Sequence, residues 1–280
     1  MNNKFCLYAP PLSTLTTYRQ MVDYAAAHGI HQLETLNIMD LSTPDEAVAK
    51  ELAAYAKEKG ITFPCVSVGI DLVEQDNRSA IETLKGYARI AKILGSPYLH
   101  HTIALNFSQP EKIAENFETY YQRGLEAVRE VYDYAATIGI RTIYEDQGFL
   151  FNGRKNFARF LSEVGRDVGV VADFGNIQFV DEQVEDFIPA FRDRIVHVHV
   201  KDYLIADAPN DGDYRSRGGS VLRTSLVGEG SVHMDAGFRA LQEMGYTGSV
   251  ALEGDPIGPD EEASFCKNLD AVRQYLTRYL

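Results

Sequence analysis

What this chain lacks narrows its class before any motif is read. No apolar run approaches the roughly 20 residues of a membrane-spanning helix, and the opening stretch "MNNKFCLYAPPLSTLT" has no long apolar centre of the kind a secretory signal carries. The expectation is a cytoplasmic protein without a membrane partner. Cysteine is scarce. Cys6, Cys65 and Cys266 stand far apart with no CxxC, so their spacing suggests neither a disulfide framework nor a cysteine zinc site. Positive charge is in deficit: 27 basic against 40 acidic residues leave a net charge of -13, which repels phosphate backbones and argues against a nucleic-acid partner. A small neutral or cation-assisted substrate fits that balance better. No GxGxxG or P-loop follows the first strand candidate, and no Ser/Gly-rich linker divides the chain.

What is present is a regular alternation. Eight short strand-like runs, "KFCLYAP", "HQLETLN", "TFPCVSVGI", "YLHHTIAL", "RTIYEDQG", "GVVADFGNI", "RIVHVHVKD" and "SVALEGD", are separated by longer helical segments. In "TPDEAVAKELAAYAKEKG", Thr43 is the expected N-cap, Glu46 takes the capping-box position and Gly60 is the stop; two further helices are expected to end at Gly95 and Gly139. Strict βα alternation predicts an α/β protein made of one (β/α)8 TIM barrel over residues 1–280, with an open doubly wound sheet as the alternative. One connection breaks the rhythm. Residues 204–233 show no clear periodicity, and such an insertion reads equally as a substrate lid or as an oligomer contact, which leaves a homo-oligomer open.

The seventh strand poses the chemical question. Alternation in "RIVHVHVKDY" puts His197, His199 and Lys201 on one face and Val196, Val198 and Val200 on the other, so two imidazoles stand where apolar side chains would pack without a desolvation cost. Active-site groups of a barrel sit at the carboxyl ends of its strands. There this sequence places Glu145, Asp173, His199 and Glu253, in phase with Ile143, Val171, His197 and Ala251. A lone carboxylate at a strand end is more often a solvated loop residue or a helix cap. Four ligand-type residues in one inward phase carry more weight, and three carboxylates around an imidazole repel one another unless a cation lies between them. An oxygen-rich set with one imidazole suits Mn²⁺, Mg²⁺ or Co²⁺, with Zn²⁺ as a further candidate. His197, deeper in the pleat, reads as a second-layer hydrogen-bonding residue. Glu34 and His101 occupy rim positions suited to substrate hydroxyls, and Lys201 shares the phase of His199 and could hold a substrate oxygen or pair with Asp202 or Glu253. Arg215, Arg217 and Arg223 could meet a phosphate or carboxylate, but no glycine-rich phosphate cradle accompanies them.

The segments "YEDQG", "VVADFGN", "VHVHVKD" and "GEGSVHM…GYTGSVALEGD" resemble the sugar isomerase/epimerase superfamily with the xylose-isomerase-like TIM barrel. The resemblance runs in order along the whole chain. It implies that Glu145, Asp173, His199 and Glu253 are metal ligands, that the two glutamates form an acid/base pair, and that the substrate is a sugar or polyol-derived carbonyl compound processed through an enediolate. Two positions depart from the pattern. Asn176 stands where relatives commonly place a histidine against substrate hydroxyls, and Ile205 stands where some ketose epimerases carry an arginine. A metal-dependent dehydratase of an inosose or a 3-keto sugar is the alternative on the same site. An endonuclease IV-like nuclease would need further ligands where this chain has Asn176 and "LRTSLVGEG".

Overall fold

The computed structural model describes residues 4–9, 11–105, 110–254 and 256–280. Seven of the eight expected strands come first: β1 (Phe5–Tyr8), β2 (Leu33–Glu34), β3 (Cys65–Val68), β4 (Tyr98–His101), β5 (Arg141–Glu145), β6 (Gly169–Asp173) and β7 (Ile195–Val200). Three short strands follow in the long connection, β8 (Asp202–Ala206), β9 (Tyr214–Arg215) and β10 (Val221–Ser225), and β11 (Ser249–Leu252) completes the barrel. The parallel order is β2-β1-β11-β7-β6-β5-β4-β3, and the isolated parallel bridges Gln32–Thr62 and Thr35–Val66 join its two ends. The outer layer is α1 (Tyr18–Ala27), α2 (Glu46–Lys59), α3 (Arg78–Leu94), α4 (Pro110–Thr137), α5 (Arg154–Glu163), α6 (Val184–Phe191), α7 (Met234–Glu243) and α8 (Glu261–Tyr279). The (β/α)8 expectation therefore holds, and the open sheet does not.

Helix ends follow from local chemistry. Gly60, Gly95 and Gly139 adopt φ of 70°, 72° and 79°, a left-handed conformation that carries a Cβ penalty in other residues and ends the helices where the sequence predicts. The N-cap of α2 is Asp45 rather than Thr43, its carboxylate accepting from the Ala47 and Val48 amides at 2.8 and 3.2 Å. Asp45 satisfies two amides of the first turn with one carboxylate, and an anion at that end is favoured by the helix dipole. Apolar side chains of α3 at Ile81, Leu84, Ala88 and Ala91 recur at helical spacing and are buried against the sheet. Inside the barrel, Cys65, Ile143 and Val171 form a small apolar plug beneath the mouth.

Residues 204–233 are not an irregular loop. β8 and β9 pair with β10, which lies between them, in a small antiparallel sheet, with Leu222 opposite both Ile205 and Tyr214. The strands are only two to five residues long, so they leave no clear period in the sequence. Asp202 anchors the return: its carboxylate accepts from the amides of Gly228, Gly230 and Val232 at 2.9, 3.0 and 3.1 Å. A Cβ on Gly230 would lie 2.2 Å from Asp202 Oδ1, which accounts for the second glycine of "GEG". On the other side Asp181 accepts from Ser216 Oγ and the Gly218 amide, both at 2.6 Å, and Arg217 donates to Phe149 O at 2.5 Å. The small sheet is thus tied to the loops after β5 and β6.

One packing constraint runs against intrinsic propensity. Gly237 lies inside α7, where alanine is favoured by about 1 kcal/mol in an isolated helix. Its Cβ, however, would sit 2.5 Å from Cε2 of Phe174, a fully buried ring wedged edge-on against Phe238. Overpacking of that kind costs about 1–3 kcal/mol. Gly237→Ala is expected to lower the urea midpoint with an unchanged m-value; a raised midpoint would show that the Phe174 ring yields.

Candidate metal and catalytic site

Strand ends bring the four expected ligands to one point. Asp173 and Ala251 are both register partners of His199, and Glu145 is paired with Val171, two residues before Asp173. Glu253 directly follows β11, its amide donating to Val200 O at 3.0 Å. From His199 Nδ1 the distances are 3.0 Å to Glu253 Oε2, 3.3 Å to Glu145 Oε2 and 3.8 Å to Asp173 Oδ2. All four donor atoms lie within 4.8 Å of one another, and none of them has a hydrogen bond among the described residues. Three carboxylate oxygens and an imidazole nitrogen converging on one buried point fit a divalent cation, with the Lys201 ammonium 3.0 Å from Asp173 Oδ2 as the neighbouring positive charge.

The opposite side of three of the four residues is held in place. Asp173 Oδ1 accepts from the Gly175 and Asn176 amides at 2.8 and 2.7 Å, which turns Oδ2 toward the common point. Glu253 Oε1 is 2.9 Å from the Lys201 ammonium, leaving Oε2 to face inward. His199 Nε2 lies 3.1 Å from Glu34 Oε1; a proton held there would leave Nδ1 to present its lone pair to a cation, the carboxylate–histidine arrangement of metal sites. Glu34 Oε2 receives His197 Nε2 at 2.6 Å, and Ser67 Oγ also donates to Glu34 while meeting His100 Nδ1 at 2.8 Å. A polar layer of Glu34, His197, Ser67 and His100 therefore underlies the mouth.

Charge in this layer is unbalanced. Burial pushes the Glu34 carboxyl up, but His199 and His197 outweigh it and hold the group well below its ordinary range. Burial pushes Asp173 up to about 7, with the Glu253 and Glu145 charges adding to the effect against the Lys201 ammonium. Burial opposes the charge of Lys201 and His199, yet the surrounding carboxylates raise both well above their ordinary values. At the mouth the three carboxylates Glu145, Asp173 and Glu253 gather around His199 and Lys201, a crowding of negative charge that a cation relieves.

The other predicted residues divide. Lys201 lies 3.0 Å from Asp173 Oδ2 as well as 2.9 Å from Glu253, not beside Asp202, and its stem fills the space a Cβ on Gly175 would take. Asn176 lines the mouth cavity with its Nδ2 buried and unpartnered. Glu34, read from sequence as a rim residue, is wholly buried beneath the mouth with its oxygens engaged by histidines and Ser67. His101 turns away from the four-ligand cluster: its Nε2 meets Tyr144 Oη at 3.0 Å and its Nδ1 meets Thr102 O at 2.9 Å. His100, which sequence reasoning passed over, is the inward residue; its Nε2 is unpartnered and 3.6 Å from Glu145 Oε1. Its register partner Ile143 belongs to the inner plug, the one clue that would have chosen between the adjacent histidines. The loop arginines line no part of the mouth cavity: Arg223 pairs with Asp213, Arg217 with Phe149 O and Arg215 with Gly219 O.

Above the four converging side chains is a cavity of about 310 Å³, walled by Tyr8, Phe179, Tyr203 and Tyr214, with Gln147, Asn176, Lys201 and Glu253 as its polar members. Tyr203 and Tyr214 come from the small antiparallel sheet, so the long insertion forms one wall of the mouth. Among the described residues no helix is long and apolar enough to cross a membrane.

The model of the xylose isomerase-like TIM barrel family matches residues 22–274. No curated protein matches the sequence. Among solved structures, a xylose isomerase domain protein from Planctomyces limnophilus is 17% identical, with 99% of this chain and 97% of that one covered and a TM-score of 0.76. D-psicose 3-epimerase from Clostridium cellulolyticum H10, solved with D-tagatose, is 18% identical over 99% of this chain and 95% of its own, with a TM-score of 0.72. The probable 3-DHS dehydratase involved in petrobactin synthesis from Bacillus anthracis is 17% identical over 96% of this chain and 98% of its own, with a TM-score of 0.73. At these identities the structural likeness establishes the fold.

Proposed function

The chain belongs to the xylose isomerase-like TIM barrel family, and from that premise we propose that it is a divalent-metal-dependent isomerase or epimerase of a sugar or polyol-derived carbonyl compound. The observation that carries this reading is the convergence of four buried donor atoms from Glu145, Asp173, His199 and Glu253 below an open cavity. Mn²⁺, Mg²⁺, Co²⁺ and Zn²⁺ all suit this donor set. When bound, the metal supplies Lewis-acid withdrawal of charge from a carbonyl and its neighbouring hydroxyl.

The protein's own groups do the rest. Glu145 and Glu253 stand on β5 and after β11, with the β6 and β7 ligands between them in the ring, so a substrate in the mouth presents a different face to each. One carboxylate removes the proton from the carbon beside the carbonyl. The proton's return to the neighbouring carbon isomerises, and its return from the other face of the same carbon epimerises. Lys201, charged and only 11% exposed, offers its ammonium to a substrate oxygen, and Asn176 Nδ2 donates to a hydroxyl. The tyrosine and phenylalanine walls pack against the carbon skeleton and limit water. The position of Lys201 also supports a second reading, in which it hands a proton to a departing hydroxyl and the reaction is dehydration of an inosose or 3-keto sugar.

The test is an activity panel of ketoses, inososes and 3-keto sugars, followed by NMR, with protein stripped by chelator and then reloaded. Turnover of at least one compound is expected, lost on stripping and regained with a divalent ion. Failure of every such compound under all four metals, or activity indifferent to chelation, would overturn the proposal.

A further inference from the structure

Away from the mouth, where the first and last helices meet, we propose a second cation site, formed by His28, Glu262 and Cys266 and selective for a thiophilic divalent ion such as Zn²⁺. Glu262 and Cys266 are four residues apart on α8, so their side chains share one face, and His28 caps the carboxyl end of α1 beside them. His28 Nε2 is 3.7 Å and Cys266 Sγ 3.8 Å from Glu262 Oε1, and all three donor atoms fall within 4.8 Å of one another. Bonds of about 2.0–2.3 Å at tetrahedral angles separate neighbouring ligand atoms by about 3.3–3.8 Å, so little movement is needed to close on an ion.

The surroundings orient each donor. His28 Nδ1 lies 2.9 Å from Tyr24 O, which places the ring proton there and leaves the Nε2 lone pair facing a carboxylate oxygen. The Tyr24 ring lies over the imidazole with centroids 4.1 Å apart, and its hydroxyl donates to Glu262 Oε1 at 3.0 Å. One tyrosine therefore steadies two of the three ligands. His28 and Glu262 remain 27% and 52% exposed, which gives an ion access and a fourth position for water. As the sulfur–metal bond forms, the Cys266 thiol proton passes to solvent, and no oxidation state changes. The spacing of the cysteines concealed this grouping, because two of its ligands come from opposite ends of the chain. An ion here would clamp α1 to α8, where Arg273 already donates to His28 O at 2.6 Å.

The site is independent of the chemistry proposed for the mouth, and a thiolate distinguishes the two. Titration of the full chain with Co²⁺ is expected to produce a near-ultraviolet thiolate-to-cobalt charge-transfer band that Zn²⁺ displaces and Mg²⁺ does not. Cys266→Ser should lose the band with an unchanged circular dichroism spectrum, while His28→Ala should weaken Co²⁺ binding at least tenfold. Cys266 is also the one cysteine that is not fully buried, so a single thiol open to reagent in the native protein, and protected by Zn²⁺, is the companion result. No band at saturating Co²⁺, a band that survives Cys266→Ser, or a thiol whose reactivity Zn²⁺ leaves unchanged would overturn the site.

Discussion

Glu145→Gln and Glu253→Gln are each expected to lower turnover of a true substrate by on the order of 10²–10⁴, with much of the ligand affinity retained. Glutamine keeps the size of the side chain and one oxygen toward the metal, but it cannot accept the proton taken from carbon. The two positions are not equivalent. Glu253 Oε1 is 2.9 Å from the Lys201 ammonium, whereas Glu145 Oε1 faces His100 Nε2 at 3.6 Å, so each carboxylate works against a different neighbour. In heavy water an epimerase should incorporate deuterium at the inverted carbon. Each single variant should still exchange the proton on the face served by the surviving glutamate. NMR of the substrate with wild type and both variants reads the exchange directly, and wild-type rates in both variants would remove the glutamates from the acid/base role while leaving the metal site standing.

Loss of metal binding with survival of the fold is the expected result for His199→Ala. Its Nδ1 is the only nitrogen in the four-atom set, and its Nε2 carries the hydrogen bond that ties the set to Glu34. Replacing a second-layer partner alone, as in Glu34→Gln, should weaken the metal about 10–100-fold, and removal of the ligand itself should cost more than that. The barrel should persist because the main apolar core lies between strands and helices and does not include this imidazole. Two measurements decide: metal content after dialysis, and the metal-dependent rise in melting temperature, which should vanish in His199→Ala and shrink in Glu34→Gln. Wild-type affinity in His199→Ala would take it out of the ligand set.

The alternation of eight strand-like runs with helical segments, the glycine stops and the inward phase at the carboxyl ends of the last four barrel strands were all legible in the residues. Each depends on local periodicity, which a chain carries wherever it goes. Period-two alternation also sorted His197, His199 and Lys201 from the valines between them. It says which residues share a face, but not how deep they lie or which adjacent residue points inward. Those depend on register between strands distant in sequence. Register made His100 the inward histidine and turned His101 toward Tyr144, and it put Glu34 under the mouth rather than on its rim. Tertiary structure likewise decided the small antiparallel sheet, whose two- to five-residue strands leave no period to read and which Asp202, Asp181 and Arg217 hold against the barrel. The meeting of His28 with Cys266 required the barrel to close, since only closure sets the first helix beside the last.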